Sequence, residues 1–235
     1  MSTKSPKVGV LLSGCGVMDG SEIHEAVSIL LALDKRGAEI ICMAPNIPQS
    51  DVINHLAKKP SDQKRNVLEE SARIARGKIK DLSTVKPEDL DALVFPGGFG
   101  AAKNLCNFAS KGAQAQVNDQ VKHLMVQMHK AGKPIGLACI APVIAAQVFG
   151  EMGLKPKVTI GTDRGTADAI NSMGGQHQNT GPTDIYVDEI NRLVTTPCYM
   201  NDVGPWTVFQ GADKMVEAVL RMASSSLSPA GRGQG

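Results

Sequence analysis

Lys7-Val-Gly-Val-Leu-Leu-Ser13 is a short, almost wholly apolar run ending at a glycine-containing turn, as a strand buried on both faces requires. Asp19-Gly-Ser-Glu22 follows with the form of a capping box, Asp19 at the N-cap and Glu22 reaching back. Ile23, Ala26, Val27, Leu30 and Leu33 then repeat at helical spacing until Lys35-Arg36-Gly37 supplies basic residues and a glycine stop. Ala38–Ala44 is apolar again. Strand, helix and strand within residues 7–44 make a β-α-β unit, and parallel strands with right-handed crossovers follow from it.

The pattern recurs downstream. Asp91–Phe95 runs into Pro96-Gly97-Gly98-Phe99-Gly100, and a helix over Val117–Lys130 stops at Gly132. Pro134–Ala138 reads as a further buried strand with Cys139 at its end, and Ile140–Phe149 as a helix buried nearly all round. Later elements are a strand at Lys157–Gly161, a helix over Thr166–Met173, a hairpin of Ile185–Val187 with Leu193–Thr196, and a closing helix over Ala212–Met222. Residues 51–90 are strongly polar around Lys58–Arg65, with a helix over Val67–Arg76, and read as an insertion serving as a lid or dimer contact. The expectation is an α/β, three-layer doubly wound sandwich with a mostly parallel sheet, flavodoxin-like, a single domain over residues 1–223 with a flexible tail at 224–235.

Composition narrows the function classes. With 235 residues, 42% hydrophobic and 20% charged, the chain can bury a sizeable core and is too apolar for disorder. Lys and Arg number 25 against 23 Asp and Glu, a net charge of +2 that holds neither a polyanion nor an anionic membrane. Five Phe, two Tyr and one Trp are too few for base-stacking platforms, so nucleic acid is not the expected partner. No apolar stretch approaches the roughly 18 residues that cross a bilayer, and no targeting segment precedes the first strand. The five Cys are odd in number and form no Cys-x-x-Cys pair, which points to a reducing compartment rather than a disulfide framework. No metal-ligand spacing occurs among the five His, so no metal is expected.

Open α/β sheets bind ligands beyond the carboxyl ends of their strands. Three such ends are Gly14–Asp19, Pro96–Gly100 and Gly136–Pro142. The last has the form of a nucleophile elbow, with the Cys139 thiol at a strand-to-helix turn, where a helix dipole favours thiolate. The alternative is a buried structural cysteine. Amides of the Pro96-Gly97-Gly98 turn and of Ile140 could form an oxyanion hole. Glu25 shares its helical sector with Ile29 and Ala32. Partial burial there would raise its pKa and let it donate to the thiolate; a solvated first-turn glutamate is the other reading. Cys15, Gly97 and Asn104 could line the same pocket, while Lys103 and His24 read as surface residues.

These runs resemble the ThiJ/PfpI superfamily, the class I glutamine-amidotransferase-like fold that includes the Parkinson-linked deglycase. The resemblance is closest to the ElbB-like branch and its animal mitochondrial relatives. It is carried by Ser13-Gly-Cys-Gly-Val-Met-Asp-Gly-Ser-Glu-Ile-His-Glu25, Phe95-Pro-Gly-Gly-Phe-Gly-Ala-Ala-Lys-Asn-Leu105, Gly132-Lys-Pro-Ile-Gly-Leu-Ala-Cys-Ile-Ala-Pro142 and Val194-Thr-Thr-Pro197, within a span from Lys7 to Arg221. It implies a nucleophile at Cys139, a partner glutamate at Glu25 and an oxyanion-hole glycine at Gly98. It further implies a homodimer and a cofactor-free glyoxalase acting on methylglyoxal or glyoxal, in mitochondria if processed like the animal relatives and otherwise in the cytoplasm. Many members carry a His where this chain has Thr159-Ile-Gly-Thr-Asp163. Proton transfer would then rest on Glu25 or water, and slow turnover is expected. Two other readings stand beside this one: a redox or carbonyl sensor using the same thiol, and a glutamine amidotransferase-like subunit.

Overall fold

The computed structural model describes residues 5–226. In chain order its elements are β1 (Lys7–Leu11), α1 (Ile23–Asp34), β2 (Glu39–Ala44), β3 (Ile53–Asn54), β4 (Lys59–Pro60), α2 (Val67–Ile74) and β5 (Lys80–Asp81). There follow β6 (Ala92–Phe95), α3 (Phe99–Lys103), α4 (Phe108–Lys111), α5 (Asp119–Lys130), β7 (Ile135–Ala138), α6 (Pro142–Glu151), β8 (Lys157–Val158), α7 (Arg164–Ser172), β9 (Gln176–His177), β10 (Tyr186–Asp188), β11 (Leu193–Thr196) and α8 (Pro205–Ser226).

Seven strands form one sheet in the order β10-β11-β7-β6-β1-β2-β5, with β10 antiparallel at one edge and every other pairing parallel. This is the expected doubly wound α/β sandwich. Alternation along the strands builds its two cores. On β6, Leu93 and Phe95 face one layer with Met125, Met128 and Ile144, while Ala92 and Val94 face the other with Ile29, Leu33, Val216 and Val219. Both layers are dry, which is why β1, β6 and β7 read as unbroken apolar runs. Helices α1 and α8 are also tied at the surface, where the Arg36 guanidinium pairs with Asp213 and Glu217.

Chain order along the sheet reverses between β1 and β6. From β1 the chain steps outward to β2 and β5, then crosses back to β6 and on to β7 and β11. The loops leaving β1 and β6 therefore diverge and leave a crevice, the position at which open α/β sheets bind ligands.

Several local expectations change. Helix α1 is capped by Glu22, whose carboxylate accepts from the Glu25 N–H, and not by Asp19. Asp19 is buried and accepts from the Ile53 N–H because the loop before it turns back on itself. The strand expected at Lys157–Gly161 is two residues long and pairs with β9 outside the main sheet. Residues 51–90 contain the hairpin of β3 and β4 and supply β5, an edge strand beside β2. Helix α8 starts at Pro205, ahead of the expected Ala212, and includes residues 224–226 of the expected flexible tail; the rest of that tail lies outside the described residues. Among the described residues, no helix is long and apolar enough to cross a membrane.

Candidate active site

The loop after β1 is held by its own polar groups. Ser13 N–H donates to Ser21 Oγ at 2.9 Å, Gly14 N–H to Ser71 Oγ on α2 at 2.8 Å, and Asn104 Nδ2 to the carbonyls of Ser13 and Asp19, both at 2.9 Å. The loop after β6 docks against it through Glu22 N–H to Gly97 O at 3.0 Å and Gly100 N–H to Gly20 O at 2.9 Å. These bonds set where α1 begins and hence where Glu22 and Glu25 point.

Cys139 ends β7 with φ of 59°, in the left-handed region, and its N–H donates to Thr196 O on β11 at 2.9 Å. A non-glycine residue held there stores about 1–3 kcal/mol, a feature that clusters at functional turns. The thiol is 7% exposed and meets the Glu25 carboxylate and the Gly98 N–H. Glu25 itself is completely buried. Its Oε2 accepts from Gly97 N–H at 2.9 Å and its Oε1 from Tyr199 N–H at 3.2 Å. Packing is tight enough that a β-carbon on Gly97 would collide with the Cys139 Cβ and stand 2.7 Å from Glu25 Oε2.

Burial, reinforced by the neighbouring Glu22 charge, pushes the Glu25 carboxyl up to about 7. Burial also pushes the Cys139 thiol well above its usual value, with Glu25 and Cys198 adding to the effect and the Gly98 N–H opposing it. The expectation of a thiolate favoured by a helix dipole is thus corrected. Helix α6 starts at Pro142, three residues beyond the sulfur, and burial outweighs it.

The thiol opens into a cavity of about 430 Å³ lined by Glu22, Gly98, Ile140, Tyr199 and Asp163, with Val17, Phe99, Phe108 and Met200 as its apolar walls. Gly98 and Ile140 line this cavity, and Gly97 packs against Cys139. Cys15 and Asn104 are not among the residues that line this cavity. Cys15 is half-buried beside Glu70 and Arg73 of α2, and Asn104 is a loop brace whose Oδ1 accepts from Ser50 N–H at 2.9 Å. Lys103 donates to Met18 O and pairs with Asp51. His24 is exposed and bonds the Tyr199 hydroxyl at 2.7 Å.

The comparisons bear on this arrangement. No family model matches the chain. A Homo sapiens protein named glutamine amidotransferase-like class 1 domain-containing protein 3, mitochondrial, is 46% identical over 92% of this chain and 83% of its own length. The crystal structure of an isoprenoid biosynthesis protein with amidotransferase-like domain from Ehrlichia chaffeensis is 36% identical, superimposes with a TM-score of 0.85, and covers 92% of this chain and 99% of its own. The chain belongs to the family of glutamine amidotransferase-like class 1 domain-containing proteins. A ThiJ/PfpI domain protein from Brachyspira murdochii, 13% identical with a TM-score of 0.56 over 96% of this chain and 100% of its own, shares the fold.

Sequence reasoning passed over Glu22 as a cavity residue, Cys198 beneath the site, and Tyr199, Asp163 and Thr166 around it. Glu22 carried a usable signal, since a glutamate three residues before another at a helix start shares its face. Tyr199 and Asp163 come from distant loops and carried none. Among the described residues, no cluster of three or more His, Cys, Asp or Glu could hold a metal ion.

Glu25 imposes a pH dependence on stability. Its folded-state value of about 7 exceeds the ordinary 4.5, so between those values the folded chain keeps a proton that the unfolded chain releases. The stability this contributes is whole below about pH 4.5 and is lost as pH rises through about 7, about 3 kcal/mol in all. Thermal melts should accordingly fall from pH 5 to pH 8, and Glu25→Gln should flatten that slope. Parallel curves for the two proteins would refute this account.

Proposed function

We propose that this protein is a cofactor-independent glyoxalase-type enzyme that converts methylglyoxal or glyoxal to the hydroxy acid through Cys139. The observation that carries the reading is the convergence of a thiol, a buried carboxylate that titrates near neutrality and the Gly98 N–H at one end of a cavity. A thiol that burial holds well above its usual value needs a base at the moment of attack, and the Glu25 carboxyl, pushed up to about 7, lies beside it.

In the first step Cys139 Sγ bonds to the aldehyde carbon and its proton passes to Glu25. The carbonyl electron pair moves to oxygen, which the Gly98 and Ile140 N–H groups face. The hemithioacetal then isomerises. A hydrogen leaves the former aldehyde carbon, which rises to the acyl level, while the adjacent carbonyl is reduced to an alcohol. Water cleaves the resulting thioester, releasing the hydroxy acid and restoring the thiol. No external oxidant or reductant enters the balance. Mitochondrial residence belongs to the same proposal and is supported by the names of the Homo sapiens, Rattus norvegicus and Danio rerio relatives.

Methylglyoxal consumption with lactate detection tests the reading. Multiple turnover is expected. Its absence, with stoichiometric modification of Cys139 by peroxide or aldehyde in its place, would replace the enzyme with a sensor.

A further inference from the structure

We propose that Glu22 is a second catalytic carboxylate, the base that takes the carbon-bound proton of the hemithioacetal while Glu25 serves the sulfur. This rests on the aldehyde reading above and adds a residue to it.

Isomerisation requires a group that faces the adduct carbon. That carbon, once bonded to Sγ, lies on the cavity side of the thiol. Glu25 is on the other side: it is fully buried, does not line the cavity, and has both oxygens engaged by Gly97 and Tyr199 N–H groups. Glu22 lines the same cavity as Cys139, Gly98 and Ile140 and is 8% exposed. Its position is fixed from two directions. Its N–H donates to Gly97 O at 3.0 Å, and its Oε2 accepts from Glu25 N–H at 2.7 Å as the cap of α1. That leaves Oε1 with no hydrogen-bond partner among the described residues.

A carboxylate pinned by one oxygen on the cavity wall is held in place, as a base that takes a proton from a bound adduct needs. Its charge reaches the site, since it is among the groups that raise Glu25, Cys198 and Tyr199. The other titratable groups around the cavity are worse placed. Asp163 is an exposed rim residue whose carboxylate caps α7 by accepting from Thr166 N–H at 2.8 Å, which holds it below the usual carboxylate range and makes it a weaker base. Cys198 is buried beneath Glu25, and the Tyr199 hydroxyl is taken by His24. The two glutamates thus divide the proton work that superfamily members with a histidine give to that residue.

The step balances. Glu22 removes the proton from the former aldehyde carbon, the electron pair forms a carbon–carbon double bond and the adjacent carbonyl oxygen takes a proton from water to give the enediol. Glu22 or water then delivers a proton to the adjacent carbon while the hydroxyl on the first carbon returns its proton to water, leaving the thioester.

The test uses Glu22→Gln, which keeps an oxygen to accept from Glu25 N–H and removes the base. Expected are a fall in kcat of about a hundredfold with KM little changed, a larger isotope effect with aldehyde-deuterated methylglyoxal, and a hemithioacetal on Cys139 that accumulates and is visible by mass spectrometry. Glu22→Ser, which preserves an N-cap oxygen, should behave alike. Wild-type turnover with undiminished kcat and no adduct in folded Glu22→Gln would overturn the role of Glu22 alone. Accumulation of adduct in Asp163→Asn but not in Glu22→Gln would move the role to Asp163. A wild type with no thiol-dependent turnover would remove the aldehyde reading and this inference together.

Discussion

Cys139→Ala is expected to lower methylglyoxal turnover by at least about a thousandfold, because it removes the atom that forms the covalent bond. The fold should survive. The Cys139 backbone N–H still donates to Thr196 O, and alanine fits where a larger side chain would meet Gly97 and Glu25. Stability should even hold or rise slightly above pH 7, since Glu25 loses a neighbour with which it cannot share ionisation. Lactate production and thermal melts measured on the same preparations separate the two effects. Retention of more than a tenth of the activity would place the nucleophile elsewhere and leave Cys139 a packing residue.

Gly98→Ala is expected to damage fold and chemistry together. Gly98 has φ of 91°, a region L side chains rarely adopt, and a β-carbon there would collide with the backbone of Glu22 and Gly20. Neither obstacle is the flexible end of a side chain. Strain of about 1–3 kcal/mol adds to a backbone displacement of similar cost. A melting point lower by roughly 4–24 °C follows for a chain of this size. The displacement would also pull the Gly98 N–H from the sulfur and shift Glu22 at the head of α1, so the surviving folded protein should turn over poorly. Gly37→Ala is the control, with φ of 69° but open space around it, and should show only the smaller strain. Equal effects of the two substitutions would mean that the contact between the loops after β1 and β6 is unimportant.

Much of the architecture is visible locally. Strands β1, β6 and β7 are buried on both faces and therefore appear as apolar runs, and α5 and α8 show their inward faces at helical spacing. In α1 the expected face is corrected, since Ile23 and Val27 are exposed while Ile29 and Ala32 are buried with Ala26 and Leu33. Cys139 and Gly98 could be picked out because a left-handed turn and a close backbone approach each restrict the residue that can occupy them. Glu25 could be read from the wheel because it falls among Ile29 and Ala32, and all three are buried. Cys15 and Asn104 misled for the opposite reason. They sit in the right loops, yet Cys15 faces α2 and Asn104 turns inward to brace Ser13 and Asp19, and both partners are supplied by chain remote in sequence or by backbone carbonyls that no pattern reveals.

By itself the sequence determined that strands and helices alternate around a parallel sheet, and it pointed to the ends of three of those strands as the candidate site, with Cys139, Glu25 and Gly98 as its candidate residues. These conclusions depend on periodicity, turn chemistry and burial, which act over a few residues. Only the tertiary structure decided that burial raises the Glu25 carboxyl and the Cys139 thiol together, and that Glu22 stands on the cavity wall. Each of those depends on desolvation and on donors contributed by Gly97, Gly98 and Tyr199, groups brought to Glu25 from loops more than seventy residues away.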